Sequence, residues 1–95
     1  MDKDGILAAA HFQPHAGKMF AVEGTLLQLL LREVEIAAAA GPFRAPFNLI
    51  FQGPPGDVLA CGLYRLALEG EAFDLHLMPI HTPARDRQDY QAAFN

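Results

Sequence analysis

The sequence predicts an all-β domain of about six short antiparallel strands, arranged as a small barrel or sandwich after a short N-terminal helical turn. Apolar and polar residues alternate in several segments from residue 47 onward, as in strands with one buried face. Clusters of glycine and proline separate these segments. The chain has 95 residues, of which 52% are hydrophobic, so we expect one domain, residues 1–95, with one core.

The chain before residue 24 is predicted to form a helical turn and one strand. Residues 6–12 are apolar except for His11 and follow two aspartates, which favour a helix N-terminus, and Pro14 is expected to end the helix. The segment of residues 19–23 has the length and the apolar character expected of the first strand. Gly24 and Thr25 then predict a turn.

Residues 25–40 fit two interpretations. As a helix, the segment would begin with a capping box formed by Thr25 and Gln28 and would end at Gly41. The four alanines of residues 37–40 are good helix formers. Local propensity therefore favours the helix.

The alternative for the same segment is a strand with a bulge. The leucines at 27, 29 and 31 share one side, whereas Val34 and Ile36 fall on the opposite parity. A bulge near residues 32–33 is needed to bring both sets to one face. The strand-like sequence that follows favours this interpretation, and we predict a strand for residues 26–36.

Four more strands are predicted downstream of Pro46, at residues 47–52, 64–68, 73–77 and 90–95. Alternation gives each of them an inward set, in chain order Phe47, Leu49, Phe51, Tyr64, Leu66, Leu68, Phe73, Leu75, Leu77, Tyr90, Ala92 and Phe94. Pro79 is expected to close the penultimate strand, because proline cannot continue a ladder. Residues 81–89 are predicted to form a charged loop.

Several short patches resemble a small bacterial family catalogued only as a domain of unknown function. They are Phe12, Gly17-x-x-Phe20, residues 45–54 from Ala-Pro-Phe to Gly-Pro, Gly62-Leu-Tyr-Arg-Leu66, residues 73–80 and the closing Tyr90-x-Ala92-x-Phe94-Asn95. The resemblance implies an all-β domain with a strand at residues 26–36, and a chain that ends at the Phe-Asn pair. It carries over no activity, cofactor or binding residue. Similar members lie beside phage-tail-collar-like proteins, which implies an accessory or assembly role.

Catalytic and metal chemistry finds little support in the residues. The chain has no serine, Cys61 is its one cysteine, and no phosphate-loop pattern is present. A Cys61–His76–Asp74 constellation has no motif behind it. His11 and His15 have helical spacing that Pro14 interrupts, and His81 would have to fold back to join Asp74 and His76. We predict a protein that is not an enzyme, with no cofactor and no native metal.

The charge and cysteine content bear on partners and compartment. A formal net charge of −4 with scattered cations predicts no nucleic-acid partner. The longest apolar run is too short for a membrane span, and a single cysteine fits a reducing compartment, so we expect a soluble, cytoplasmic protein.

Two functions from different classes remain. The first is an interaction or assembly module, accessory to a phage-tail-like structure, which pairs through an edge strand or an apolar face with a protein partner or a second copy. Its support is the low charged fraction of 19%. The second is a small-molecule-binding barrel with a pocket at one mouth, where Arg65, Asp74 and His76 would be the ligand-binding residues.

Overall fold

Six antiparallel strands close into a barrel in the order β1-β2-β3-β6-β5-β4. The computed structural model describes residues 9–36, 46–56 and 58–94. A helix, α1 (Ala9–Phe12), and a 3-10 turn (Gln13–His15) come first. The strands are β1 (Met19–Val22), β2 (Gln28–Ile36), β3 (Phe47–Gly53), β4 (Gly62–Leu68), β5 (Glu71–Pro79) and β6 (Gln88–Phe94). The predicted all-β class, with about six strands and a short N-terminal helical turn, is confirmed, and the arrangement is a barrel rather than a sandwich.

Strand β2 confirms the strand prediction and its bulge. Leu31 pairs with Phe51, but the next pair is Glu33 with Ile50, so Arg32 is the extra residue of a bulge. The bulge changes the parity of the strand, as the apolar pattern requires. Thr25 does not cap a helix, because it lies in the turn between β1 and β2. Residues 37–45, including the alanine run, lie outside the described residues.

The barrel interior is filled by side chains from every strand. Most of the predicted inward residues are buried, and the rest pack partly buried against that cluster. The buried cluster comprises Phe12, Phe20, Val22, Leu29, Leu31, Phe47, Leu49, Phe51, Leu66, Leu75, Leu77, Tyr90 and Ala92. A barrel this small is expected to be packed in this way.

The Phe12 ring covers the end of the barrel where β5 and β6 do not pair. Among the described residues, β5 and β6 form only two pairs, Met78 with Gln91 and Pro79 with Tyr90. At the opposite end of these strands the Phe12 ring lies 5.1 Å from the Phe73 ring of β5 and 5.9 Å from the Phe94 ring of β6. The α-helix ends at Phe12, and Pro14 lies in the 3-10 turn that follows it.

A tight turn with positive φ at both central residues joins β4 and β5. Glu69 has φ 52° and Gly70 has φ 85°, and Leu68 pairs with Glu71 across the turn. These are the signs of a type I′ hairpin, in which asparagine is favoured at the first position because it adopts positive φ more readily than glutamate does.

We therefore expect Glu69→Asn to stabilise the fold. Glu69 also forms an exposed ion pair with Lys18, so the proper reference is Glu69→Gln, which loses the same charge without relieving the backbone. The free energy of unfolding of Glu69→Asn should be roughly 1 kcal/mol higher than that of Glu69→Gln. This difference is the lower end of the cost of a non-glycine residue in the left-handed backbone region. Urea unfolding of both variants measures this difference, and equal midpoints would contradict it.

Candidate functional site

Two of the predicted ligand-binding residues form an ion pair on the outer wall of the barrel. Arg65 and Asp74 are direct partners in the β4–β5 ladder. The Arg65 guanidinium donates hydrogen bonds of 3.0 Å and 3.3 Å to the two carboxylate oxygens of Asp74. Each side chain is 54% exposed, so water screens the pair and it adds little to stability. The two charges satisfy each other and face solvent rather than a barrel mouth.

The third predicted residue, His76, lies beside Cys61. Its Nε2 atom is 3.8 Å from the Cys61 Sγ atom, and both side chains are exposed. Asp74 directs its oxygens to Arg65, and in the described chain it makes no hydrogen bond to His76. Cys61 and His76 are therefore adjacent, as a Cys61–His76–Asp74 constellation requires. The Asp74 carboxylate, which would orient the imidazole, is hydrogen-bonded to Arg65 instead.

The other two histidines considered as a pair lie in different elements. His11 is in α1 and His15 is in the 3-10 turn, so no single α-helix carries both of them. The His15 ring packs against Phe20 and Phe73, and its Nδ1 atom is buried without a hydrogen-bond partner. Among residues 9–36, 46–56 and 58–94, no three His, Cys, Asp or Glu side chains are close enough to hold a metal ion.

An apolar groove lies at the end of the barrel opposite α1, between the β1–β2 turn and the β3–β4 loop. We call it the mouth groove; its volume is about 520 Å³, and it is lined by Thr25, Leu26, Leu27, Gly56, Val58 and Leu59. The Leu26 side chain is fully exposed, and Val58 is 53% exposed. A fully exposed leucine beside a half-exposed valine gives this groove an apolar surface that is open to solvent.

The turn that carries Leu26 is held by its own hydrogen bonds. The Thr25 hydroxyl donates to the carbonyl of Val22 at 2.9 Å and accepts from the amide of Leu27 at 3.0 Å. Two backbone bonds, from Val22 to the Leu27 carbonyl and from Thr25 to the Val22 carbonyl, complete the turn. These bonds fix the backbone of the turn that carries the exposed leucine.

The other wall of the groove, formed by the β3–β4 loop, is hydrogen-bonded to a residue of the core. The amide of Leu59 donates a 2.9 Å hydrogen bond to the hydroxyl of Tyr90, whose side chain is buried. The hydroxyl of Tyr64 donates to the carbonyl of Ala60 at 2.6 Å. Both walls are thus preorganised. Neither Leu26 nor Val58 is among the site residues predicted from the sequence, although a large apolar residue in or beside a turn with glycine or proline is a signal for such a surface.

A buried carboxylate on the outer wall was also missed. The sequence predicts a charged loop at Asp89, but this residue lies in β6, is 6% exposed, and accepts hydrogen bonds from the guanidinium groups of Arg32 and Arg87, each at 3.0 Å. Its amide donates to the Thr82 hydroxyl at 2.9 Å. Through these hydrogen bonds Asp89 connects β6 to the bulge of β2 and to the β5–β6 loop. We therefore assign Asp89 a structural role.

The fold and these surfaces define a small closed antiparallel barrel with a packed interior, an apolar groove at one end and a thiol–imidazole pair on its wall. The chain belongs to the family described as a domain of unknown function (DUF6916), whose model matches residues 7–94. Comparison with curated proteins and with solved structures found no match. None of the helices in the described ranges has the length and apolar character needed to cross a membrane.

Proposed function

We propose that this chain is a non-enzymatic binding module that holds an apolar segment of a protein partner in the mouth groove. The observation that carries the proposal is the fully exposed Leu26 beside Val58 in a groove with two fixed walls. Apolar anchors at the centre of a preorganised surface supply most of the affinity of protein interfaces. A fixed groove also loses less conformational entropy when a partner binds.

The closed barrel favours an apolar face over an edge strand as the binding mode. Every strand has a neighbour on each side, so the described barrel offers no full-length edge for strand addition. Six residues line the groove, whereas a standard protein interface takes about 20–30 residues from each side. The groove therefore suits one inserted segment better than the whole face of another domain.

Charge restricts the sequence of that segment. The net charge is −4, and the carboxylate of Glu23, two residues before Thr25, has no ion pair in the described chain. Among the cations of the described residues, Lys18, Arg32, Arg65 and Arg87 are each in an ion pair and only Arg85 is not, so few of them are free to contact a phosphate backbone. We expect a partner segment with one or two large apolar residues and flanking lysine or arginine.

An enzymatic role has less support than a binding role. The described lining of the groove contains no titratable side chain, and the Thr25 hydroxyl is used by its own turn. General acid–base or nucleophilic chemistry needs such groups within reach of the substrate. The accessory role in a phage-tail-like structure stays a prediction. The mouth groove is the surface at which binding of such a partner can be tested.

A selection from a library of short random peptides tests the proposal on the full chain. Peptides enriched on the immobilised protein should share a large apolar residue with a basic neighbour. Their affinity should fall roughly tenfold or more in the Leu26→Ser/Val58→Ser double variant, since losing apolar anchors costs above about 1.4 kcal/mol. Ile36→Ser is the matched control, because Ile36 is 50% exposed and does not line the groove.

Two results would count against the mouth groove. One is a selection that enriches no peptide, and the other is a set of peptides that bind the double variant as tightly as the wild type. Circular dichroism of each variant establishes that the barrel is intact. Because both substituted residues are at least half exposed, the change itself should alter stability by less than about 0.5 kcal/mol.

The alternative, a small-molecule-binding barrel, rests on a second groove on the wall. That groove has a volume of about 260 Å³ and polar groups from Gln28, Gln52 and Asp86. Its volume lies below the range of about 300–1,000 Å³ usual for small-molecule sites. A metabolite library that raises the melting temperature of the wild type and of the Leu26/Val58 double variant equally would favour this alternative.

A further inference from the structure

The thiol–imidazole pair on the outer wall suggests a second kind of site, distinct from the mouth groove. Cys61 directly precedes β4, and His76 lies in β5 opposite Leu63. The β4–β5 ladder is continuous from Gly62–Leu77 to the hairpin turn. A rigid two-stranded platform therefore holds the Cys61 Sγ and His76 Nε2 atoms 3.8 Å apart at the surface.

This separation suits two ligands of one zinc ion. Zinc bonds of about 2.3 Å to sulfur and 2.0–2.1 Å to nitrogen at a tetrahedral angle place the two atoms about 3.6 Å apart. The observed 3.8 Å needs only a few tenths of an ångström of adjustment. A thiolate and an imidazole are also the donor types that zinc prefers in structural sites.

One chain supplies only half of such a site. Within the described ranges no third His, Cys, Asp or Glu joins the pair. The nearest acidic residue of β5, Asp74, is held by Arg65. Structural zinc sites take four protein ligands, so a Cys–His pair at the surface lacks two.

A second copy of the chain is suited to complete the set. We call Cys61, Leu63, His76 and Met78 the β4–β5 outer patch; Leu63 is 70% exposed and Met78 is 43% exposed. Arg65 and Asp74 beside the patch neutralise each other, so the patch carries no unbalanced charge. A two-fold axis brings the same patch of both copies together, and a neutral, apolar patch meets its own image without repulsion.

We propose that two copies of this chain bind one Zn²⁺ between their β4–β5 outer patches through Cys61 and His76 of each copy. Each thiol loses its proton to solvent as the Zn–S bond forms, so the dimer releases two protons for each ion bound. Leu63 and Met78 of the two copies bury each other around the metal.

The test uses the untagged full chain, stripped of metal with a chelator and kept in a thiol-free reductant. Zinc chloride should double the mass measured by sedimentation velocity, with saturation at half an equivalent of metal. Co²⁺ should give the visible bands of a tetrahedral site and a sulfur-to-cobalt charge-transfer band. Cys61→Ser and His76→Asn should each abolish the zinc-dependent dimer.

Matched controls separate this site from its alternatives. His81→Asn removes an exposed histidine five residues from His76, and Leu26→Ser removes an exposed leucine of the mouth groove; neither should change the zinc-dependent mass. A dimer retained by Cys61→Ser, a metal-bound monomer at one equivalent, or loss of binding in His81→Asn would overturn the proposal. So would a mass that zinc leaves unchanged, or a dimer that reductant abolishes and chelator does not.

Discussion

The Phe12→Ala variant is expected to lose about 3–5 kcal/mol of unfolding free energy, the cost of deleting a buried aromatic ring. Phe12 has no exposed surface, and its ring contacts those of Phe47, Phe73 and Phe94. The ring fills the end of the barrel where β5 and β6 have no ladder, so its removal leaves a cavity between two strands that no ladder holds together there. Domains of this size have about 5–15 kcal/mol of stability, so the variant should lose a large share of it.

Urea unfolding followed by far-ultraviolet circular dichroism measures this loss. Phe12→Leu keeps much of the apolar volume and should cost clearly less than the alanine variant. Leu26→Ala is the surface control and should change stability by less than about 0.5 kcal/mol. If Phe12→Ala costs under about 1 kcal/mol, the ring does not hold β5 and β6 together, and the short ladder between them is sufficient.

The strands could be predicted because burial on one face leaves a period of two in the sequence. In β3, Phe47, Leu49 and Phe51 are all inward and buried. In β2 the apolar residues change parity, so the same rule predicts a bulge, and the structure has one at Arg32. Propensity alone would have made β2 a helix, so tertiary burial outweighs local preference in this segment.

The pairing of Cys61 with His76 is a consequence of the hairpin turn. Once Glu69 and Gly70 are the two turn residues, Leu68 pairs with Glu71 and every later pair follows, including Leu63 with His76. Cys61 then lies diagonally across from His76 on the outer face. The same register places Arg65 opposite Asp74, in the middle of the strands. Their ligand binding stays a prediction, but the structure places them on the wall and not at a mouth.

The contacts of Asp89 could not be predicted in this way. Its partner Arg32 is 57 residues away, and the two meet because β2 and β6 both flank β3. Strand order in a barrel depends on long-range closure rather than on the period of any one strand. A charge-rich segment at residues 85–89 indicates a loop from sequence alone, and only the folded chain makes Asp89 a buried acceptor.

Replacing Asp89 with asparagine is therefore expected to destabilise the fold by about 2 kcal/mol, below the 3–5 kcal/mol for fully buried pairs because the arginine side chains remain partly exposed. The variant leaves the guanidinium groups of Arg32 and Arg87 beside a neutral amide whose NH₂ group cannot accept their hydrogen bonds. The end of the β5–β6 loop that carries Arg87 should loosen as well, because the Arg87 guanidinium loses its carboxylate acceptor.

Urea unfolding measures the loss, and amide hydrogen exchange at Ile80, whose amide donates to the Asp89 carbonyl, reports the loop. Asp86→Asn, an exposed change in the same loop, removes the same charge and should cost less than about 0.5 kcal/mol. If the Asp89 and Asp86 variants are equally stable, net charge accounts for the effect. A larger loss for Asp89→Asn, reduced in an Arg32→Gln background, would locate the energy in the pair, because that background has already lost one of the two charges that Asp89 neutralises.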